Sequence, residues 1–494
     1  MERKISFKNL YLVGIISLGL IGLGVGSTFA MFTASAEISD PISLTSGLNY
    51  QDDVVDLVDM TISSNKVETA TLNIKNNTTK TLNYTSWYKT NNNNLQIGTV
   101  VSNDYSVTGT IEPNQSAQII VSIRNRGTGV AKVTVGISAS ESDIVVSDGI
   151  TTLPTTPLPP YLNDYITNLY ASNKDDGTVT NNSIEYKYAS SVNLMNDRLG
   201  GTTEDLDGGN IRYYGASPKN YIDIGDRDSN DEVILWRIIG VFDEKVRIVR
   251  NDSLGNYSYD TSASTVNSGQ GINEWSQADL MKLLNPGYTN NKDLNNSNEK
   301  ITVSNSLYWD KASGICYKGS SNSTASCDFS SIGLSDAAKD KIINQTMYLG
   351  SGDNSSIYAN QAYWVERGES VRTCTDANTC NDTVERTSSW TGKVALMYPS
   401  DYGYAVDLNS CNKTLNAYKD ATCTDNNWLK TPIGWLITPY STDNYRQWAV
   451  IIEGNVSRGR AYYSDYSVRP VVTLKSKLII ESGTGTDTDP FVVD

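Results

Sequence analysis

Chemistry in this sequence must come from three groups of side chains: six cysteines, a few closely spaced carboxylates, and tyrosines and arginines gathered near the C-terminus. Histidine is absent. That removes Ser-His-Asp and Cys-His nucleophilic catalysis, His-based zinc sites and the usual proton shuttle near neutral pH. The cysteines form three neighbouring pairs, Cys316 and Cys327, Cys374 and Cys380, Cys411 and Cys423. Sequence alone permits many pairings. Each neighbouring pair brackets a segment rich in Ser, Thr, Asn and Asp, which favours sequential disulfides that clip surface loops. A metal site is disfavoured, because the run CTDANTC puts five residues between its sulfurs and no histidine assists. Disulfides imply an oxidising compartment outside the cytosol.

Among the carboxylates, Asp226-x-Asp228-x-Asn230 opens like a calcium loop. Asp231 stands where an EF-hand needs glycine, and no glutamate occupies the twelfth position, so a polar turn before a strand is expected. Glu204-Asp205-x-Asp207-Gly-Gly reads as another turn. No resident cofactor is expected, with calcium the one ion left open. Paired carboxylates can hydrolyse glycosides without histidine, but among 55 acidic residues nothing singles out a pair. A carboxylate-based glycan-acting enzyme is therefore the second alternative to binding, and no catalytic residue is assigned.

The third group lies in Ile433–Leu474, where short β-branched and aromatic runs alternate with Gly/Asn/Asp/Ser turns in the manner of hairpins. Strands are expected over Trp435–Ile437, Trp448–Ile452, Arg460–Tyr463 and Val471–Leu474, with Gly454-Asn455 as a turn. Trp435 and Trp448 are read as core. Tyr445, Arg446, Arg458, Tyr463 and Tyr466, in or beside turns, are the ligand-facing set, since Tyr and Arg offer large contact area with few rotors and polar tips. The expected partner is a glycan or a host or bacterial surface protein. The net charge of −15 argues against nucleic acid.

The elements that must carry these residues follow from periodicity. Arg3, Lys4 and Lys8 precede the apolar run Leu10–Val25, a signal peptide (residues 1–30) cut after Ala30, with Ala36 as the alternative. An uncleaved anchor is the other reading, and a membrane is met only through this segment. No sorting motif or hydrophobic tail closes the chain, so release, or retention by a partner, is expected. Residues 37–150 read as an all-β, Ig-like or jelly-roll sandwich. Its strands are expected at Val54–Asp59, Val67–Ile74, Thr81–Tyr88, Leu95–Val101, Tyr105–Ile111, Ala117–Ile123 and Val130–Ile137. Residues 151–160 (TTLPTTPLPP) read as a stiff linker. In the α+β domain at 161–475, a docking helix is expected at Tyr161–Tyr170 and a buried central strand at Val233–Val241, whose Arg237 needs a partner. Longer helices are expected over Asn273–Asn285 and Ser335–Tyr348, and residues 476–494 form a closing hairpin.

The motifs ILWRIIGVF, VRIVRNDSLGNYSYD, GINEWSQADLMKLLNPGY, SLYWDKASGICY, GWLITP and SVRPVVTL together resemble the C-type-lectin-like domains of exported proteins from low-GC Gram-positive gut bacteria. Those domains are similar in fold to formylglycine-generating enzymes and phage tropism-determinant proteins. The resemblance covers roughly residues 185–474 and implies a C-type-lectin-like fold, in a family without a settled activity; with the export segment and the tyrosine and arginine cluster, the expected protein is extracellular, secreted or surface-associated, and serves non-catalytic adhesion or recognition. The formylglycine chemistry is not carried over, because all six cysteines are accounted for as structural bridges. The segment GSTFAMFTASAEI resembles the signal peptides of camelysin-type biofilm matrix proteins. It supports cleavage after Ala30 and implies, as the first alternative, a fibre or matrix subunit that self-assembles through its sandwich.

Overall fold

A computed structural model describes strand Ser43–Leu44 and residues 54–494, apart from 103–104, 142, 145–149, 176, 200–208, 264–268, 290–292, 297–298, 369–386, 431–432 and 442. The signal segment, Glu204, Asp205 and Asp207, and the pair Cys374 and Cys380 lie outside the described residues. The chain divides into two compact units, Met1–Pro160 and Tyr161–Asp494.

The first unit is an all-β sandwich. One sheet orders Val67–Asn76, Ser116–Asn125 and Leu95–Val101, with Ser43–Leu44 at its edge. The other orders Val54–Ile62, Ala131–Ser140, Leu82–Thr90 and Thr108–Ile111. Successive strands alternate between the two sheets, so each connection crosses the sandwich. Period-2 alternation puts Leu72, Ile74, Ile119, Val121, Ile123, Val133, Val135 and Ile137 inside, all buried. The Pro/Thr-rich stretch expected as a linker lies on this unit instead. Thr151–Thr152 pairs with Leu82–Thr90, the Thr99 amide donates to the Thr156 carbonyl at 2.8 Å, and Leu153 and Leu158 are buried. Gly98 allows the approach, because a Cβ there would collide with the Leu158 backbone. Two buried leucines spaced by prolines are enough to dock a polyproline-like segment that composition alone reads as a free spacer.

The second unit is α+β. Its central strand, Trp236–Phe242, is buried throughout. It forms a hairpin with Lys245–Arg250, which pairs in turn with Val471–Leu474. On the other side lie Tyr221–Asp223 and Ile211–Tyr213, and the C-terminal hairpin Ile480–Ser482/Phe491–Val493 joins the same sheet. Arg237 finds a neutral partner. Its Nε and Nη2 donate to Asn220 Oδ1 at 2.9 and 2.6 Å, and its guanidinium lies 4.1 Å from the Tyr221 ring centre. With no carboxylate bonded to it, burial pulls its pKa down to about 10.

The helices depart from the periodicity reading. The docking helix is Leu162–Asn173, with Leu162, Ile166 and Tyr170 buried. Over 273–285 there is a 3₁₀ turn, Trp275–Gln277, and a short helix, Asp279–Leu284, separated by Ala278 with ψ 141°. Tertiary bonds set that break: Asp279 accepts from the amide and hydroxyl of Thr261 at 3.0 and 2.7 Å. Over 335–348 only Asp336–Lys339 is helical, N-capped by Ser335. Ile342–Ile343 and Gln345–Tyr348 are strands, paired with Val471–Leu474 and Ser389–Gly392. Sheet edges in need of partners outweigh the local helical pattern there.

Two expected disulfides are present, Cys316–Cys327 and Cys411–Cys423, with Cα separations of 5.8 and 4.8 Å. The first clips the hairpin Ser313–Tyr317/Thr324–Asp328. Replacing Cys411 and Cys423 together by serine should cost about 3 kcal/mol, from the loop closure of a segment this long. The check is the urea transition followed by tryptophan fluorescence. All tryptophans but Trp87 lie after residue 230, so the signal reports the second unit.

Candidate ligand-binding surface

The candidate residues hang on a three-stranded antiparallel sheet, Gly434–Pro439, Arg446–Val450 and Val456–Arg460. The first strand is wholly buried. Trp435 and Trp448 are core, each 1 % exposed. Each ring nitrogen is satisfied by a backbone carbonyl, Tyr257 at 2.8 Å for Trp435 and Gly352 at 3.0 Å for Trp448. The second and third strands turn at Gly454, whose φ of 89° suits glycine. The third strand is not Arg460–Tyr463. It starts at Val456 and ends at Arg460, where the Tyr463 amide donates back to the Arg460 carbonyl.

This register decides which side chains share a face. Arg446 lies directly across from Arg460, and Trp448 across from Arg458, so all four project from one side. A Cβ on Gly459 would strike the Tyr466 ring, so Tyr466 covers the opposite side. The candidate set therefore splits. Tyr466 is buried and stacks on Trp435, with centroids 4.1 Å apart and planes at 17°. Burial pushes its hydroxyl up to about 12. It props Tyr463, stacked 6.2 Å away and 37 % exposed, which in turn meets Tyr462 edge-on.

Arg458 is exposed. Its Nη1 donates to the Tyr440 hydroxyl, and its guanidinium sits 4.5 Å from that ring's centre. Arg446 lies 5.3 Å from the half-buried Tyr445 ring and pairs with Asp443 at 3.2 Å. Arg460 is held by Tyr462, which raises its pKa. Arg460 and Tyr462, both half-buried, thus join this face although they were not in the expected set, and buried Tyr440 anchors Arg458. For Arg460 the sign is strand register, which a one-residue shift in the reading inverts.

The chain matches no family model, no curated protein and no solved structure. Like charges directly opposite one another cost stability in a sheet. Here Arg446 and Arg460 face each other, with Arg458 two residues along the same face, in a chain of net charge −15.

The carboxylates are engaged by the protein itself. Asp226 is buried and accepts from the Trp236 ring nitrogen at 3.1 Å and the Ser335 amide at 3.0 Å. Asp228 accepts from the amides of Asn230 and Glu232, making the expected polar turn. Buried Asp260 accepts from Ser262, and desolvation, with Asp279 beside it, pushes its carboxyl up to about 7. Among the described residues no group of three or more acidic or cysteine side chains is arranged to hold a metal ion, and no helix is long and apolar enough to cross a membrane.

Proposed function

We propose that this chain is an exported, non-catalytic recognition protein whose second unit, a C-type-lectin-like domain, binds a glycan or protein ligand. The observation that carries the reading is the cross-strand Arg446–Arg460 pair with Arg458 beside it, fringed by Tyr445, Tyr462 and Tyr463. Arg446 is offset by Asp443 and Arg460 is held by Tyr462, so a ligand with acceptor groups would add bonds to cations that the register already gathers on one face. Tyr463 and Tyr462 supply ring faces for sugar stacking or for an apolar protein contact. The rigid sheet beneath lowers the entropy cost of binding. The two disulfides and the N-terminal basic-then-apolar segment support export.

The test is an array of glycans and extracellular-matrix proteins probed with the oxidised full chain, with and without calcium. A specific ligand is expected, and Tyr463→Ala and Arg458→Ala should each weaken it roughly tenfold or more, as interface anchors do. Both positions are at the surface, so the fluorescence-detected urea transition should stay in place. Silence on both arrays, or a ligand indifferent to both substitutions, would sink the reading.

A further inference from the structure

On a different part of the second unit, a cleft of about 260 Å³ is lined by Val179, Tyr188, Ser190, Asn193, Tyr214, Gly215, Ala216, Asp407, Asn409 and Asn426. We infer that it is a binding site for a single neutral sugar ring, separate from the arginine face and independent of the function proposed above.

The lining sets the ligand class. It holds three side-chain amides, a serine, two tyrosines and one carboxylate, and neither lysine nor arginine. Amides both donate and accept, as sugar hydroxyls do, and a carboxylate accepts two neighbouring hydroxyls at once. A phosphate, sulfate or uronate would find Asp407 and no counter-charge, which disfavours it. The Tyr188 and Tyr214 rings pack together 4.3 Å apart and give the floor an aromatic body. The volume falls below the roughly 300–1,000 Å³ typical of drug-sized pockets and suits one ring.

The walls are built in advance. Asn193 sits in the left-handed region, φ 54° and ψ 40°. Its side-chain amide has no hydrogen-bond partner among the described residues, although its backbone carbonyl accepts from the Tyr214 amide at 3.1 Å. Tyr188 accepts from the Leu408 amide at 3.1 Å, so its own proton is left to donate elsewhere. Asp407 is fixed by the Asn409 amide and the Ser410 hydroxyl at 3.0 and 2.8 Å. Asn409 and Asn426 flank the loop that Cys411–Cys423 closes. A polar cleft held open by a disulfide and by Asx turns avoids most of the ordering cost of binding.

The experiment titrates the oxidised full chain with glucose, galactose, mannose, N-acetylglucosamine and glucuronate, read by saturation-transfer NMR. At least one neutral sugar should bind saturably, and glucuronate should bind at least fivefold more weakly than glucose. Asn193→Gly keeps the left-handed backbone and removes the amide. Asn409→Ala acts at an exposed position. Each should weaken the neutral sugar about fivefold, as the loss of one or two hydrogen bonds does, with the urea transition unmoved. Arg458→Ala and Tyr463→Ala should leave this binding unchanged, so failure here and failure on the arrays are separate results. Lack of saturation by every neutral sugar, equal or tighter binding of glucuronate, or full affinity in both asparagine variants would overturn the inference.

Discussion

Arg212→Met is expected to destabilise the second unit by about 3–5 kcal/mol, the cost of breaking a buried ion pair from one side. Arg212 is 1 % exposed. Its Nε donates to Asp197 at 2.5 Å and its Nη1 to Asp401 at 2.8 Å. Burial by itself would loosen its proton, but the two carboxylates outweigh that and hold the guanidinium above its ordinary pKa. The cation also lies 4.6 and 4.9 Å from the ring centres of Phe242 and Tyr404. Methionine fills most of the volume and leaves both carboxylates buried. Arg247, 3.8 Å from Asp401, offers only a distant second cation. The measurement is the urea midpoint by tryptophan fluorescence. A loss below 1 kcal/mol would show that water reaches the carboxylates and that the network is not a structural keystone. Asp197→Asn with Arg212→Met should recover part of the loss, because one uncompensated charge goes with its partner.

The second large effect is a pH dependence. Glu366 is fully buried, and desolvation pushes its carboxyl from 4.5 up to about 7, against the pull of Arg367 and the Ser400 hydroxyl. The native state therefore holds this proton more tightly than the unfolded chain does. Its contribution to stability is full below about pH 4.5, falls as pH rises towards 7, and is constant above that. The shift corresponds to roughly 3 kcal/mol. Glu366→Gln should match the native protein near pH 4.5 and exceed it by about that amount at pH 8. The Ser400 amide, 2.7 Å from Oε1, keeps its acceptor in the glutamine variant. Asp260 titrates in the same direction, which is why the difference between the two proteins, and not the native curve alone, is the quantity to follow. Parallel curves from pH 4.5 to 8 would show that Glu366 is ionised in the native state.

Much of the scaffold was legible in local pattern. The seven main strands of the sandwich fall within a few residues of their expected bounds, because alternation such as Ala117, Ile119, Val121, Ile123 is a period-2 signal that needs no knowledge of the partner strand. The disulfides Cys316–Cys327 and Cys411–Cys423 were likewise carried by proximity along the chain. The helices were less legible. In Ser335–Tyr348 the apolar spacing suits a helix, yet Ile342 and Ile343 serve a sheet edge formed by Val471–Leu474, more than a hundred residues away in sequence.

The binding residues divide along the same line. That Tyr and Arg concentrate in the C-terminal hairpins, and that Trp435 and Trp448 are core, follows from residue type and alternation. Which arginines face one another is a matter of register, and register depends on where Gly454 turns the chain. Tyr466 reads as a turn residue by position, but it is drawn into a stack with Trp435 because Gly459 leaves room beneath its ring. The sugar cleft had no local signature at all. Asn193 and Tyr214 come from one end of the unit's sequence and Asp407 and Asn426 from the other. Composition, alternation and cysteine spacing act over a few residues, and so they determined the sandwich strands, the clipped loops and the absence of histidine chemistry. Strand pairing and burial act between distant segments, and so only the tertiary structure could decide which polar groups meet across a strand and which are left open to a ligand.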